Sequence, residues 1–227
     1  MTNYLSWNQN TLTDLTPKNV SKMYADGYVF TRLGKGVMQQ TRSIRIDLSH
    51  FNMTSENRRI LKKGEFDMAA VPLPMNGYDF SIGKLAKDFY TKKFGDKVMS
   101  AQKIKEMLTD EKRSNFTTLL MYKTGLSGTP FEPHALGFSI CYINEDIIHY
   151  SFPFYDLDKA SKDMGLIMMT MLIKHAKEAN FKYVYLGSLQ RPTDTYKLQF
   201  EGLEWFDGKA WQTDLGEVKK ILASAKI

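Results

Sequence analysis

Residues Tyr150–Gly187, YSFPFYDLDKASKDMGLIMMTMLIKHAKEANFKYVYLG, decide the fold. They read as strand, loop, helix, strand. In the helical part Met164, Ile167, Met168, Met171, Leu172, His175, Ala176 and Ala179 recur at spacings of three and four, which defines one apolar face. The first two turns are apolar nearly all round, as in a helix covered on both sides. After Asn180 comes a strand of alternating and aromatic character. Strand, buried helix and strand in about forty residues make a βαβ unit, so two strands are expected to run parallel. Pro153 lies inside the first of them. Proline cannot donate to a ladder, so it marks an edge, a bulge or a splay. The turn into the helix, Ser161, Lys162, Asp163, Met164 and Gly165, carries first-turn N–H groups that attract phosphate or carboxylate. An ordinary capped helix start with a convenient glycine fits the same residues.

Working outward, 227 residues are enough for a large core, and the apolar and charged fractions, 43% and 25%, are those of a globular protein in water. No apolar run has the length of a membrane span. MTNYLSWNQN has no basic start and no apolar core of a signal peptide, so the expected compartment is the cytoplasm, with no membrane partner. One cysteine, Cys141, excludes an internal disulfide and a Cys-based metal site. In GFSICYI it reads as a buried, inert thiol. The net charge of +6 is compatible with a polyanionic partner. Basic residues gather at Arg42, Arg45, Arg58, Arg59, Lys62 and Lys63, and again from Lys84 to Lys105, so the first 130 residues are the expected seat of a nucleic-acid contact. Solvated helix faces would give the same charge pattern.

Residues 1–26 are polar and weakly patterned, an irregular arm or short helix. Residues 27–33 and 36–48 read as strands joined at Gly34-Lys35. In the second, Ile44, Ile46 and Leu48 alternate with Ser43, Arg45 and Asp47, giving a buried and a wet face. A helix over 55–63 with Thr54 as N-cap follows, then an extended 67–73. Helices over about 79–94 and 100–110 form a basic helical insertion. Residues 116–123 form a strand, and TGLSGTPFEPH (124–134) is turn chemistry. A hairpin over 135–143 and 147–155 crosses Asn144-Glu145-Asp146. Asp207-Gly208 between aromatic segments signals a second hairpin, and a helix over 216–225 ends the chain. Residues 27–227 read as one α/β domain behind the arm.

No GxSxG, HExxH or P-loop pattern is present, and the four histidines are isolated. His175 reads as a core histidine, and His149 lies in a strand. The antiparallel strands, the splay, the turn and the helix together resemble the GNAT acyltransferase fold: a mixed, largely antiparallel sheet with a βαβ unit and a splayed strand. The turn KASKDMG has one glycine where that fold usually has a Gly-rich loop for an acyl-CoA pyrophosphate.

Three segments read together resemble the aminoacyl-tRNA–protein transferases, the arginyl and leucyl enzymes of the N-end rule. FNMTSENRRILKK (51–63) is similar to their F-x-x-S-x-x-x-R-R segment. Residues 154–187, from FYD through the turn and helix to YVYLG, resemble a second block. Residues 196–211, with Tyr196-Lys197, Phe200, Leu203-Glu204 and Trp211, resemble a third. These segments cover about half of the chain. Members of the family usually begin with a cysteine-rich segment that binds a metal or cluster. This chain has no cysteine before Cys141, so no such cluster is expected.

The resemblance implies transfer of Arg or Leu from aminoacyl-tRNA to the N-terminal amine of a protein, one with an acidic N-terminus, without a further cofactor. Such chemistry needs mainly positioning, oxyanion donors and a proton path. It assigns Tyr155, Asp156, Lys197 and Glu204 to catalysis. Tyr155 marks the strand whose N–H groups polarise the ester, and Asp156 or Glu204 takes the amine proton. Binding falls to Arg58 and Arg59 (acidic terminus or tRNA phosphates), Ser161 and Gly165 (a 3′-end phosphate), and Tyr185 and Tyr196 (adenine or hydroxyls). Two other readings stay open: an N-acetyltransferase of the same fold using acetyl-CoA, and a catalytically silent RNA- or protein-binding relative.

Overall fold

The structure is a computed structural model, and it describes residues 5–124 and 135–224. The turn read over Gly125–His134 lies outside these residues, as do residues 1–4 of the arm and residue 225 of the last helix. In chain order the first elements are β1 (Asn8–Thr11), α1 (Pro17–Ala25), β2 (Tyr28–Phe30), β3 (Val37–Gln40), β4 (Ser43–Asp47), α2 (Ser55–Leu61) and β5 (Phe66–Pro72). Helices α3 (Phe80–Phe94) and α4 (Ala101–Thr109) follow, then β6 (Thr118–Thr124), β7 (Ala135–Ile143), β8 (Ile147–Tyr155) and α5 (Met164–Glu178). The chain closes with β9 (Tyr183–Ser188), a 3-10 helix (Pro192–Gln199), β10 (Leu203–Phe206), β11 (Trp211–Gln212) and α6 (Leu215–Ser224).

The larger sheet has the order β11-β10-β4-β9-β8-β7-β6-β5. The β5–β6, β6–β7, β4–β9, β4–β10 and β10–β11 pairs are antiparallel. The β8–β9 pair is parallel, with Ile147, Ile148 and His149 facing Tyr183, Val184 and Tyr185. The βαβ unit expected around α5 is therefore present. The β8–β9 register spans three pairs and stops at His149. Phe152, just before Pro153, has φ 37°, a left-handed value that a bulky residue adopts only under strain. The irregular strand expected at Pro153 is thus found. A mixed α/β chain with a mostly antiparallel sheet and this parallel pair is the GNAT-like arrangement read from the sequence.

The chain divides into two compact units: Met1–Thr54, Asn144–His149 and Ile173–Ile227 form one, and Ser55–Ile143 with Tyr150–Leu172 form the other. In the first unit, Trp205, Tyr24, Tyr185, Met38, Ile44 and Ile46 are fully buried, and the Trp205 indole N–H donates to the Asp214 carbonyl at 3.0 Å. A separate antiparallel sheet, β1-β3-β2, belongs to the same unit. In the second unit the core holds Tyr122, Phe154, Ile104 and Leu108, with Phe138 and Phe154 stacked 5.3 Å apart. α3 and α4 start at Asp79 and Ser100, whose side chains accept from the N–H groups of Ser81 and Lys103.

The short helix read in the arm is present, nine residues long with proline at its start, which fixes φ for the first turn, and a strand precedes it. Three other sequence expectations are corrected. Residues 36–48 are two strands in different sheets, not one. Thr41 breaks them apart, because its hydroxyl donates to the Leu5 carbonyl at 2.6 Å and its own carbonyl accepts from Ser43 N–H. Ser43 and Arg45 do not form a wet face: both are buried, since β4 lies inside the sheet between β10 and β9. On α5 the buried face is rotated from the one expected. Ile167, Met168, Met169, Leu172, Ile173 and Ala176 are buried, while His175 is exposed and is not a core histidine.

Candidate functional site

In the first unit the polar residues collect at the C-terminal end of β9. The β8–β9 register ends at Tyr185, and the next carbonyls in line, those of Leu186 and Ser188, accept instead from the Lys197 ammonium at 3.4 and 3.2 Å. The lysine stem is half-buried and its ammonium is turned inward. Its backbone position is set by the 3-10 helix, whose N-terminus is tied by Asp194. One carboxylate oxygen there accepts from the N–H groups of Gln190 and Arg191 at 2.8 and 2.9 Å. Burial lowers the Lys197 pKa; the Asp194 charge opposes this and the Arg191 charge adds to it. Beside it, the His149 imidazole is buried, and burial first and the Lys197 charge second push its pKa down to about 3. His149 Nδ1 lies 2.8 Å from the Tyr24 hydroxyl. A neutral imidazole and a desolvated ammonium are thus packed around the end of one strand.

Glu204 and Tyr185 are joined by Arg45. The guanidinium Nε donates to Glu204 Oε2 at 2.6 Å and Nη1 to the Tyr185 hydroxyl at 3.4 Å. Its carbon sits 4.0 Å from the Tyr183 ring centre and 4.1 Å from that of Trp211. Burial pushes the Tyr185 hydroxyl up to about 12, with Arg45 opposing. Tyr185 is thus a core residue that supports Arg45. Tyr196 is exposed, with the Lys197 ammonium 6.0 Å from its ring centre.

In the second unit the turn into α5 has its own constellation. Tyr155 is buried against Phe89, ring centres 4.8 Å apart, and Gly165 lies under its ring. Asp156 Oδ1 accepts from the N–H groups of Asp158 and Lys159 at 3.0 and 3.1 Å, which fixes the turn. Ser161 is exposed, and its carbonyl accepts from Met164 N–H. Asp163 takes the Lys63 ammonium at 2.5 Å, and that hydrogen bond holds its carboxyl below the usual range. Lys63 follows α2, so the helix of Arg58 and Arg59 stands at this turn. Arg59 is paired with Glu56 through two hydrogen bonds. Arg58 is exposed.

The expected residues therefore fall into two groups: Lys197, Glu204, Tyr185 and Tyr196 in the first unit, and Tyr155, Asp156, Ser161, Gly165, Arg58 and Arg59 in the second. Sequence reading missed Arg45, His149's partner Tyr24, and Lys63. A charged residue amid aromatic strands, RIDL beside YVYLG, was the available signal for Arg45. Nothing local pointed to Lys63, whose partner lies a hundred residues away.

The two units thus hold a buried ammonium at a strand end and a helix start flanked by lysines. No family model matches the chain. An aspartate/glutamate leucyltransferase of Dinoroseobacter shibae is 26% identical over 177 residues, 75% of this chain and 61% of that protein. Another of that name, from Ruegeria pomeroyi, is 35% identical over 79 residues, 34% of this chain and 29% of that protein. Among solved structures, L-PGS from Bacillus licheniformis aligns with a TM-score of 0.47 and 13% identity, covering 92% of this chain and 71% of that one. The two sequence similarities are to proteins named as leucyltransferases. The chain spans less than two thirds of the length of the curated relatives it matches. Among the described residues no helix is long and apolar enough to cross a membrane.

Proposed function

We propose that the protein transfers an aminoacyl group from aminoacyl-tRNA to the N-terminal amine of a protein. The group is leucine and the acceptor begins with aspartate or glutamate, as in the names of the relatives. The observation that carries this reading is the similarity to a leucyltransferase along three quarters of the chain.

The reaction makes one bond and breaks one. The neutral acceptor amine attacks the ester carbonyl carbon, the bond to the tRNA ribose oxygen breaks, and the amine proton ends on that oxygen. An N-terminal amine has a reference pKa of about 7.7–8.0, so no strong base is required. Lys197 supplies an oxyanion donor: two of its N–H groups hold the Leu186 and Ser188 carbonyls, and an ammonium has a third. Glu204 is committed to Arg45, so its part is to hold β10 and the guanidinium in place. Beside Lys197 in the first unit, the exposed Tyr196 offers a stacking face. In the second unit, taken by itself, Asp156 is half-buried and holds the turn into α5 through the N–H groups of Asp158 and Lys159. Ser161 and Gly165 in that turn, backed by Tyr155, and Arg58 and Arg59 on α2 offer phosphate contacts.

The test is a transfer assay with labelled leucyl- and arginyl-tRNA and peptides beginning with Asp, Glu, Asn or Lys. Leucine transfer to the Asp and Glu peptides is expected. Absence of product with every charged tRNA overturns the reading, and product only with acetyl-CoA replaces it by N-acetylation.

A further inference from the structure

In the second unit, β5 ends the larger sheet and pairs with β6. Its seven residues, Phe66–Pro72, run in register with Thr124–Thr118 without a bulge. Leu73 N–H continues the ladder by donating to the Thr117 carbonyl at 2.9 Å. Backbone groups of alternate residues point to opposite edges of a strand, so Asp67, Ala69 and Val71 turn theirs toward β6. Phe66, Met68, Ala70 and Pro72 turn theirs outward. Proline has no N–H to give, and the outer side is where it costs no ladder bond. Among the described residues these outward groups meet no hydrogen-bond partner.

Edge strands are usually guarded by lysines, bulges, prolines or charges. In FDMAAVP the only such devices are Pro72, at its end, and Asp67, which stands beside Lys123 in the β5–β6 register. No residue of β5 is buried. Ala69 and Ala70 at its middle leave room for another backbone.

We infer that β5 pairs antiparallel with β5 of a second copy of this chain, about a twofold axis between the two Ala69 residues. Met68 and Ala70 then exchange N–H···O bonds with Ala70 and Met68 of the second copy, and Phe66 N–H reaches the Pro72 carbonyl of the second copy. The whole strand overlaps, and the missing proline N–H falls at the two ends. Asp67 lies opposite Val71 of the second copy, which keeps the two carboxylates about 14 Å apart along the strands, beyond a screening length of about 8 Å. Sliding the pairing two residues one way brings them to about 7 Å. Sliding it the other way sets Pro72 against Met68 and leaves Phe66 unpaired. A nucleic acid would need cations along this edge. A strand of another protein would meet backbone and small side chains that select no sequence, whereas a second copy is matched in length, register and charge. The pairing is independent of the transfer reading.

Strand pairing alone buries less than a standard interface of about 1,600 Å², so the dimer is expected to dissociate on dilution. Sedimentation equilibrium from micromolar to submillimolar protein is expected to show monomer and dimer in exchange. Ala70→Pro removes an outward N–H and leaves the β6 ladder intact, and is expected to weaken the dimer by about tenfold or more. Ala69→Lys and Ala69→Glu each set like charges directly opposite across the axis, so each is expected to be monomeric and their equimolar mixture to dimerise. Far-UV circular dichroism checks that the variants are folded. In the wild type, exchange of the Phe66, Met68 and Ala70 amides is expected to slow as concentration rises, and that of Ala69 and Val71 to stay constant. A monomer throughout the range overturns the proposal and leaves the edge to a strand of another protein. A dimer that withstands Ala70→Pro, outer amides whose exchange ignores concentration, or folded Lys and Glu variants that stay monomeric when mixed also overturn it.

Discussion

Arg45 Nε and Glu204 Oε2 lie 2.6 Å apart, joining residues 159 positions apart that are direct partners in the β4–β10 register. The pair is mostly out of water, with side chains 10% and 20% exposed, and two aromatic rings close over the guanidinium. Removing one member of such a pair leaves the other desolvated and unpaired. Arg45→Ala is therefore expected to destabilise the first unit by about 3 kcal/mol. Arg45→Lys recovers only part of this, because an ammonium has no planar face to lie between Tyr183 and Trp211. Urea denaturation of the three proteins checks it; equal midpoints for Arg45→Lys and wild type would show that the charge alone matters.

Lys197 separates structural from catalytic roles. Lys197→Met keeps the stem and removes the donors. If its third N–H meets the developing oxyanion, kcat falls by about a hundredfold or more while KM for charged tRNA changes little. A purely structural lysine would instead lower the melting temperature and leave kcat of the folded protein near wild type. Steady-state kinetics beside a thermal melt decide between these outcomes.

His149 gives the protein an acid sensitivity with a defined sign. Its folded pKa, about 3, lies below the value near 6.5 of an exposed histidine, so the unfolded chain binds one more proton between those values. Stability from this group is fully present above about pH 6.5 and is lost as pH falls toward 3, at about 1.4 kcal/mol per pH unit. His149→Gln is expected to reduce the acid slope of unfolding free energy by one proton in that window. An unchanged slope would show that the imidazole is protonated in the folded state.

Elements whose signal was local were legible. The β7–β8 hairpin falls on the residues read for it, because the turn Asn144-Glu145-Asp146 is a short-range feature. Helices α3 and α4 lie within a residue of their expected bounds, since Asp79 and Ser100 cap them. What escaped was set at a distance. The break at Thr41 depends on Leu5 and on Gln190, whose amide donates to the Thr41 hydroxyl at 2.9 Å. Arg45 reads as a wet position in any alternating strand until Tyr183 and Trp211 cover it. On α5 almost every position of the early turns is apolar, so periodicity could not choose the buried side and placed His175 wrongly. At the candidate site, the resemblance pointed to Tyr196-Lys197, but the lysine's partners in the structure are backbone carbonyls, which leave no mark in a sequence.

Gly202 tests how tightly the segment between Lys197 and Glu204 is held. Its φ is 71°, its carbonyl accepts from Asp47 N–H at 2.8 Å, and an added Cβ would come within 2.5 Å of the Asp47 carbonyl oxygen. Gly77 has a similar φ of 74° but nothing within 4 Å of an added Cβ. Both alanine variants incur the left-handed backbone cost of about 1 kcal/mol; only Gly202→Ala must also push β4 and the strand-to-strand turn apart. Gly77→Ala is expected to lose about 1 kcal/mol and Gly202→Ala at least about 2 kcal/mol more. Because the displaced backbone leads directly into β10, Gly202→Ala should also loosen the Arg45–Glu204 pair, so its loss should overlap with that of Arg45→Ala. In a double-mutant cycle the two substitutions are then less than additive. Full additivity would mean that the turn and the ion pair are held independently.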